Sequence, residues 1–144
     1  MTIRLMDITD FDEVRNLWLN TAGMGLNDID DSKEGINKFL TRNPTTCFVA
    51  EDNGVICGVI LGGHDGRRAL IYHMAVCEAM RGKGIGSKLL EHATCALRAE
   101  GITKAYAVVY ADNETGNRFW EKHGFIYRED LVFRSAGINK LPQL

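Results

Sequence analysis

Three glycines within five residues, Gly82, Gly84 and Gly86, precede an amphipathic run in the stretch "MAVCEAMRGKGIGSKLLEHA". Apolar residues recur in that run at helical spacing, which places the glycines at the start of a helix. Backbone N–H groups are unpaired at a helix start, the helix dipole is positive there, and glycine lets an anion approach the backbone closely. With Arg81 and Lys83 beside the glycines, the stretch predicts a binding site for a ligand that carries phosphate.

Two common nucleotide-binding motifs do not fit this loop. The Walker pattern GxxxxGK[ST] and the Rossmann pattern GxGxxG both require a glycine five positions after Gly82, where this chain has Ser87. The pattern that does fit is R-x-x-G-x-G over residues 81–86. A tight loop that needs positive φ angles and binds nothing is the alternative interpretation of the same glycines.

Composition predicts an ordinary globular protein. The chain has 144 residues, of which 45% are hydrophobic and 25% charged, so we expect one domain over residues 1–144. Seventeen basic against nineteen acidic side chains give a net charge of -2, which argues against nucleic acid as a partner. The longest apolar stretch, "VICGVIL", is far below the roughly 20 residues that span a bilayer, and the first residues lack an apolar signal core. We therefore expect a cytoplasmic protein without a membrane partner.

Cysteine spacing indicates neither a zinc site nor a disulfide framework. Cys47, Cys57, Cys77 and Cys95 form no CxxC pair and lie in a chain without secretory features. Free cysteine behaves as a small hydrophobic residue, so we predict buried thiols and no bound metal.

The order of elements predicts an α/β (α+β) fold. Helical spacing of Phe11, Val14, Leu17 and Trp18 predicts a first helix, capped by Thr9 or Asp10. Asp52-Asn53-Gly54 predicts a hairpin turn, and Pro44 ends the second helix. The predicted strands are "IRLM", "TTCFVAE", "VICGVILGG", "ALIYHMAV", "KAYAVVY", "FIYRE" and "LVFRS". Such an order favours a mixed sheet with helices on both faces.

At the loop R-x-x-G-x-G, the sequence resembles the GNAT superfamily of N-acetyltransferases. The resemblance extends over essentially the whole chain, through "FVAEDNGVICGVILGG", "MAVCEAMRGKGIG" and "ADNETGNRFWEKHGF" in the family's order. It implies a mixed, mostly antiparallel sheet of about seven strands with about four helices, and acetyl-CoA as the cofactor. The resemblance also implies the cofactor-binding residues. These are the strand backbone at Met74, Ala75 and Val76, the loop amides of Arg81, Gly82, Lys83, Gly84, Ile85, Gly86 and Ser87, and the helix-capping Asn113.

The same resemblance suggests catalytic positions. Some relatives place a carboxylate or histidine on the strand before the loop, and the resemblance maps these acceptor-side positions to Leu70 and Tyr72. Since side chains alternate along a strand, we expect His73 on the opposite face, packed in the core. A strand amide at positions 74–76 can also face the thioester carbonyl and stabilise an oxyanion. Tyr110 can bind the acceptor, relay a proton or only pack. Where the family commonly has a tyrosine acid this chain has Trp120, which we predict acts as a hydrogen-bond donor or wall.

The sequence indicates least about the acceptor substrate. Asp28, Asp30 and Asp31 in "MGLNDIDDS" can attract a cationic amine or only form a solvated loop, whereas Arg67 and Arg68 favour an acidic acceptor. We predict an N-acetyltransferase that acts on a primary amine of a small molecule or peptide by direct attack, as a monomer or homodimer. The alternatives are a non-catalytic acyl-CoA-binding module and a nucleotide-dependent protein.

Overall fold

The structure, a computed structural model, describes residues 1–139, and a five-stranded mixed sheet forms its centre. The strands are β1 Thr2–Leu5, β2 Cys47–Asp52, β3 Val55–His64, β4 Arg68–Val76 and β5 Lys104–Ala107. They lie in chain order across the sheet; β1 to β4 pair antiparallel, and β5 pairs parallel to β4. The predicted mixed, mostly antiparallel fold is confirmed, but the sheet has five strands in the described part of the chain rather than seven.

Within residues 1–139, four α-helices cover the two faces of the sheet, as predicted. They are α1 Phe11–Leu19, α2 Lys33–Arg42, α3 Ile85–Ala99 and α4 Glu114–Lys122. The apolar stripes of α1 and α2 pack on one face, and the stripe of α3 packs on the other, joined by aromatic residues of α4. Periodicity predicted these stripes correctly: the four apolar residues expected in α1 are all buried.

The start of α1 agrees in part with the prediction. Asp10 is the N-cap residue of α1, as predicted, but its side chain makes no capping hydrogen bond to that helix. Asp10 is buried and instead accepts two hydrogen bonds from the Arg4 guanidinium, at 2.8 and 2.9 Å. The side-chain cap belongs to the short 3₁₀ turn Ile8–Asp10: Asp7 Oδ2 accepts a hydrogen bond from the Thr9 N–H, and the Asp7 N–H donates to the Asp10 carboxylate.

The two closing strands expected at 125–129 and 131–135 do not form. Residues 125–137 have no regular secondary structure, and within residues 1–139 the outer edge of β5 pairs with no strand. The predicted strand "KAYAVVY" also ends early, at Ala107. A strand requires a neighbouring edge for its backbone hydrogen bonds, and alternation of apolar residues does not supply one.

The cysteines divide by exposure. Cys47 and Cys57 are buried as predicted, Cys77 is half-buried, and Cys95 is exposed on the solvent side of α3, so the prediction is wrong for Cys95. None of the helices within residues 1–139 has the length and apolar character that crossing a membrane requires. The single domain over 1–144 stays a prediction, and it extends past the described residues.

Candidate functional site

Two of the three loop glycines are required by backbone conformation. Gly82 and Gly84 have φ angles of 78° and 80°, in the left-handed region that residues with a Cβ rarely adopt. A Cβ at either position would meet nothing within 4 Å, so the space beside the loop is open. The loop therefore presents bare backbone to open space just before α3.

The third glycine is required by packing. A Cβ on Gly86 would lie 3.2 Å from the ring of Phe119, so glycine lets α4 approach the first turn of α3. Next to it, the Ser87 hydroxyl lies 2.8 Å from His123 Nε2. His123 Nδ1 donates to the Phe119 carbonyl at 2.7 Å, so in the neutral ring Nε2 accepts the serine proton. His123 thus links the first turn of α3 to α4 through these two hydrogen bonds. Sequence reasoning did not identify His123.

The start of α3 offers unpaired hydrogen-bond donors. The first helical bond runs from the Lys88 N–H to the Gly84 carbonyl, at 3.1 Å, and Gly84 has no side chain to cap the amides that follow it. The amides of Ile85, Gly86 and Ser87 therefore lack intrahelical acceptors, as in the first turn of any helix. These donors, at the positive end of a 15-residue helix, suit a diphosphate.

Basic side chains lie beside these amides. Arg81 and Lys83 are exposed in the loop, and Lys88 is exposed in the first turn of α3. Arg81 Nε donates to the Val76 carbonyl at 3.1 Å, which ties the loop to the end of β4. Positive charge is therefore added where the helix already favours an anion.

β4 and β5 part beside this loop. Their pairing ends at Ile71 and Ala107, but β4 continues to Val76. Over this extension β4 still pairs with β3 through Ala75 and Val76, while its other edge has no strand partner within the described residues. Met74, Ala75 and Val76, the positions predicted to hold an extended cofactor arm, thus offer an open backbone edge.

A β-bulge in β4 changes the direction of His73. Between two registered pairs with β3, β4 contains one extra residue, and His73 has a φ of 46°. The ring of Tyr72 packs 5.5 Å from Phe39 of α2, and the ring of His73 packs 5.2 Å from Trp18 of α1. Both side chains therefore lie on the α1–α2 face. The prediction that His73 points to the opposite face is wrong, because alternation assumes a regular strand.

His73 is held by a carboxylate from the loop between α1 and α2. Its Nε2 lies 2.7 Å from Asp31 Oδ1, and Asp31 Oδ2 accepts the Asn27 N–H at 2.7 Å. An ionised carboxylate only accepts hydrogen bonds, so Nε2 carries the proton and the neutral ring has its lone pair on Nδ1. The two side chains are 18% and 10% exposed. Sequence reasoning missed this pair, since 42 positions separate its members.

Tyr72 is placed to donate a hydrogen bond. Its side chain is 39% exposed, and its ring packs edge-on 5.5 Å from that of Phe39. Burial, together with the negative charge of Asp30, raises the pKa of Tyr72 above its ordinary value of 10.0. The phenol therefore stays protonated near neutral pH, and it can donate a hydrogen bond there but cannot act as a base.

Tyr110 and Asn113 connect the α1–α2 loop to α4. Asn113 caps α4 as predicted, because its Oδ1 accepts the Gly116 N–H at 2.9 Å. Tyr110 follows the end of β5 rather than lying within it, and its carbonyl accepts the Asn113 N–H at 3.0 Å. Its hydroxyl packs over Gly25, where a Cβ would lie only 2.7 Å away.

Trp120 lies in α4, inside an aromatic cluster. Its ring centroid is 5.3 Å from that of Phe119 and 4.8 Å from that of Phe125, and both contacts are edge-on. Phe119 in turn contacts Gly86, so the indole belongs to the aromatic cluster that packs against the first turn of α3. The structure thus brings Trp120 to the same side of the sheet as the glycine loop.

Acidic and basic candidates for acceptor binding are well separated. Asp28 and Asp30 are exposed in the loop whose Asp31 contacts His73, although Asp31 itself is mostly buried rather than solvated. Arg68 begins β4, five residues from His73 and so about 17 Å away at ~3.3 Å per residue. Acidic charge therefore lies beside the bulge, at Asp31 and near Tyr72 at Asp30, whereas the arginine pair lies toward the opposite end of β4.

Comparison with known proteins identifies the family. A family model described as "Acetyltransferase (GNAT) family" matches residues 11–125. An acetyltransferase of Photorhabdus laumondii is 35% identical over 135 residues, covering 92% of this chain and 93% of that protein. The crystal structure of Ard1 from Thermoplasma volcanium matches with a TM-score of 0.78 at 25% identity, over 87% of this chain and 82% of that one. That of PaiA N-acetyltransferase from Thermoplasma acidophilum, in complex with coenzyme A, matches with a TM-score of 0.75 at 20% identity, over 85% and 87%. Because the family model and the bacterial relative both cover most of the chain, this protein belongs to the acetyltransferase (GNAT) family.

Proposed function

We propose that the protein transfers the acetyl group of acetyl-CoA to a primary amine, on a small molecule or a peptide, by direct attack in a ternary complex. As a family member the chain is an acyltransferase, and acetyl-CoA is the donor; the acceptor and the residue roles are the proposal. One observation carries it. Beyond Ile71, β4 has an open edge that includes His73, which contacts Asp31. The same strand runs on toward the loop before the uncapped start of α3.

The residues of the donor site fit coenzyme A. Bound there, the cofactor supplies an acetyl thioester, which is an acyl group activated for transfer. We assign the amides of residues 81–87 to its diphosphate, since Gly82 and Gly84 leave the space beside the loop free of side chains. The backbone of 74–76 takes the extended arm as a further strand would. The side-chain amide of Asn113, whose oxygen is used in capping, leaves its NH₂ for the cofactor.

We assign proton removal to His73. An amine in water is mostly protonated, and it must lose a proton before its nitrogen can attack. Asp31 holds the Nε2–H, so the lone pair of Nδ1 is left to accept a proton from the acceptor. The phenol of Tyr72 donates a hydrogen bond beside it, and Asp28 and Asp30 attract a cationic acceptor.

Trp120 and Tyr110 complete the walls of the proposed site. The indole N–H donates a hydrogen bond but cannot release its proton near neutral pH, so Trp120 shapes the sulfur end of the donor site. A thiol has a pKa of about 8.5 and leaves as a thiolate without an acid, so the missing tyrosine is tolerable. Tyr110, 57% exposed and packed on Gly25, borders the acceptor loop.

The test is a screen of amines for acceptor-dependent release of the CoA thiol. Polyamines, amino acids and peptides with free N-termini are supplied with acetyl-CoA, with a sample lacking amine as the control. Exposed Cys95 would react with a thiol reagent, so the Cys95→Ser variant is used or the acetylated product is weighed by mass spectrometry. We expect release with cationic amines and little release without an acceptor.

Two other outcomes would replace the proposal. The tryptophan at position 120 is the observation that favours a non-catalytic acyl-CoA-binding module. Tight acetyl-CoA binding with no release for any amine in the panel would support that module. Greater thermal stabilisation by ATP or NAD than by CoA would instead indicate a nucleotide-dependent protein, since a ligand stabilises the state it binds.

A further inference from the structure

One face of β4 and β5 is largely open to solvent. Ala69 and Ile71 of β4 and Ala105 of β5 pack in the cluster under α3. Since side chains alternate along a strand, their neighbours project from the opposite side of the sheet, where α1 and α2 lie. Those neighbours form what we call the β4–β5 face: Arg68, Leu70 and Tyr72 of β4, and Lys104 and Tyr106 of β5.

The helices on that side leave most of the β4–β5 face uncovered. Within residues 1–139, the core cluster under α1 and α2 contains no residue of β5. Tyr72 meets the edge of α2 at Phe39 and is still 39% exposed, and Tyr106 is 37% exposed. Because Tyr72 and His73 lie on this same side, the face extends from the proposed base to the beginning of the two strands.

Two positive charges lie side by side at the far end of the face. Arg68 and Lys104 are direct partners in the pairing of β4 with β5, and both are exposed. Like charges on neighbouring strands repel each other, which destabilises the pair. The nearby Asp65 carboxylate accepts the Arg67 N–H and pairs with the Arg67 guanidinium at 3.4 Å. Within residues 1–139, neither Arg68 nor Lys104 forms an ion pair.

Tyr106 holds both cations on the face. Arg68 Nη1 donates to the Tyr106 hydroxyl, and the guanidinium carbon lies 5.8 Å from the centroid of that ring. Lys104 Nζ lies 5.7 Å from the same centroid. An aromatic ring attracts cations, so the phenol keeps the two charges together despite their repulsion. A carboxylate bound here would relieve that repulsion, and a planar guanidinium can bind both of its oxygens.

The near end of the face is acidic. Asp31 Oδ1 lies 2.7 Å from His73, and burial, followed by the charge of Asp30, raises the pKa of Tyr72. Five residues of β4 separate His73 from Arg68, which is about 17 Å at ~3.3 Å per residue. Negative charge therefore lies where the acceptor amine is expected, and unpaired positive charge lies about 17 Å away on the same side of the sheet.

We propose that the acceptor is a peptide with a free N-terminus and acidic side chains at its fifth or sixth residue. Arg68 and Lys104 bind those side chains while the terminal amine lies at His73. An extended chain rises ~3.3 Å per residue, so about 17 Å separates its first residue from its sixth, and the long basic side chains also reach the fifth. This assignment rests on the proposed acetyl transfer and names its substrate class.

The proposal joins two cues that disagree in the sequence. The acidic residues before α2 favour a cationic acceptor and the arginines before β4 favour an acidic one, and the structure places them at the two ends of one face. The chain has a net charge of -2, so it has no general attraction for acidic peptides, and a preference must come from local cations. One exposed ion pair changes binding by up to about fivefold, so two pairs predict roughly 5- to 25-fold.

The experiment compares synthetic decapeptides that share a free N-terminus and neutral residues. One has glutamates at positions five and six, another has them at two and three, and a third has none. We expect kcat/KM for the first peptide to exceed that for the neutral one by roughly 5- to 25-fold at low salt, and by less at high salt.

Variants locate the preference. The double variant Arg68→Gln, Lys104→Gln should lose it and keep the wild-type kcat/KM for the neutral peptide. The matched control is Arg98→Gln, Lys122→Gln, which removes two exposed cations from α3 and α4 and should keep the preference. Thermal unfolding shows that each variant is folded.

A binding measurement separates this proposal from acetyl transfer itself. The first peptide is acetylated at its N-terminus, so that it cannot react, and is labelled for fluorescence anisotropy. If no amine is acetylated but this probe binds the wild type more tightly than the double variant, the peptide site stands and the transfer does not. If peptides are acetylated with equal efficiency wherever the glutamates stand, or if the double variant keeps the preference, the transfer stands and this proposal is overturned.

Discussion

Replacing His73 by asparagine removes the proposed base and preserves the bulge that carries it. His73 has a φ of 46°, and asparagine is among the few residues that tolerate this region. Loss of a general base lowers kcat by about 10² to 10⁴, which is about 2.7 to 5.5 kcal/mol in the barrier at ~1.36 kcal/mol per decade. The KM for acetyl-CoA should not change, because the start of α3 is untouched.

The size of the effect at Asp31 follows from its contact with His73. Asp31→Asn removes the charge from a hydrogen bond of 2.7 Å. Hydrogen bonds to charged groups contribute about 1.5 to 3 kcal/mol, so kcat should fall by roughly 10- to 150-fold. Since Asp31 acts only through the imidazole, the double variant should be no slower than His73→Asn alone.

The assay is steady-state acetylation of the best amine found in the screen, with each substrate varied at a saturating concentration of the other. His92→Asn is the matched control, because His92 is an exposed histidine of α3 outside the proposed site. Its Nδ1 contacts the Lys88 carbonyl of its own helix, and its ring lies 5.6 Å from that of Phe48. Thermal unfolding of each variant shows whether the fold is kept.

Two results would refute the reasoning. If His73→Asn turns over as fast as His92→Asn, the proton is removed elsewhere. If His73→Asn and Asp31→Asn raise the KM for acetyl-CoA and leave kcat unchanged, the pair shapes the donor site instead.

Three further predictions concern other parts of the structure. Trp120→Phe should keep turnover within about tenfold, since it loses one hydrogen bond of about 1 kcal/mol; abolished turnover with normal acetyl-CoA binding would contradict the role as a wall. Iodoacetamide should label Cys95 but not Cys47 in the native protein, because burial raises the pKa of Cys47 to about 12; mass spectrometry reads the sites. Burial favours a raised pKa for Asp10, but its hydrogen bonds, chiefly from Arg4, outweigh it, and the pKa lies below 3.8. The ionised carboxylate therefore stabilises the fold above that pH and loses this contribution as pH falls through the lowered pKa. In urea unfolding, Asp10→Asn should cost roughly 1 to 3 kcal/mol near neutral pH, and the difference should shrink in acid; a difference that is constant with pH would contradict the ion-pair explanation.

Local signals in the sequence were enough to locate the donor side. The glycines before α3 need positive φ at two positions, and the apolar spacing of residues 85–97 defines the helix that follows. The hairpin at Asn53-Gly54 was predicted for the same reason, and both residues have positive φ. Each of these features depends on the backbone preferences of a few neighbouring residues, so the sequence contains the information directly.

The acceptor side depended on contacts between distant parts of the chain. One extra residue in β4 turns His73 toward α1, where Asp31 meets it from another loop. Residues 125–135 have the alternating pattern of two strands, yet no strand forms there. Strand register and edge pairing are set by which surfaces meet, and a shift of one residue moves a side chain to the other face. For that reason the glycine loop and its helix were visible in the sequence, whereas the direction of His73 and the open edge of β5 became visible only in the folded chain.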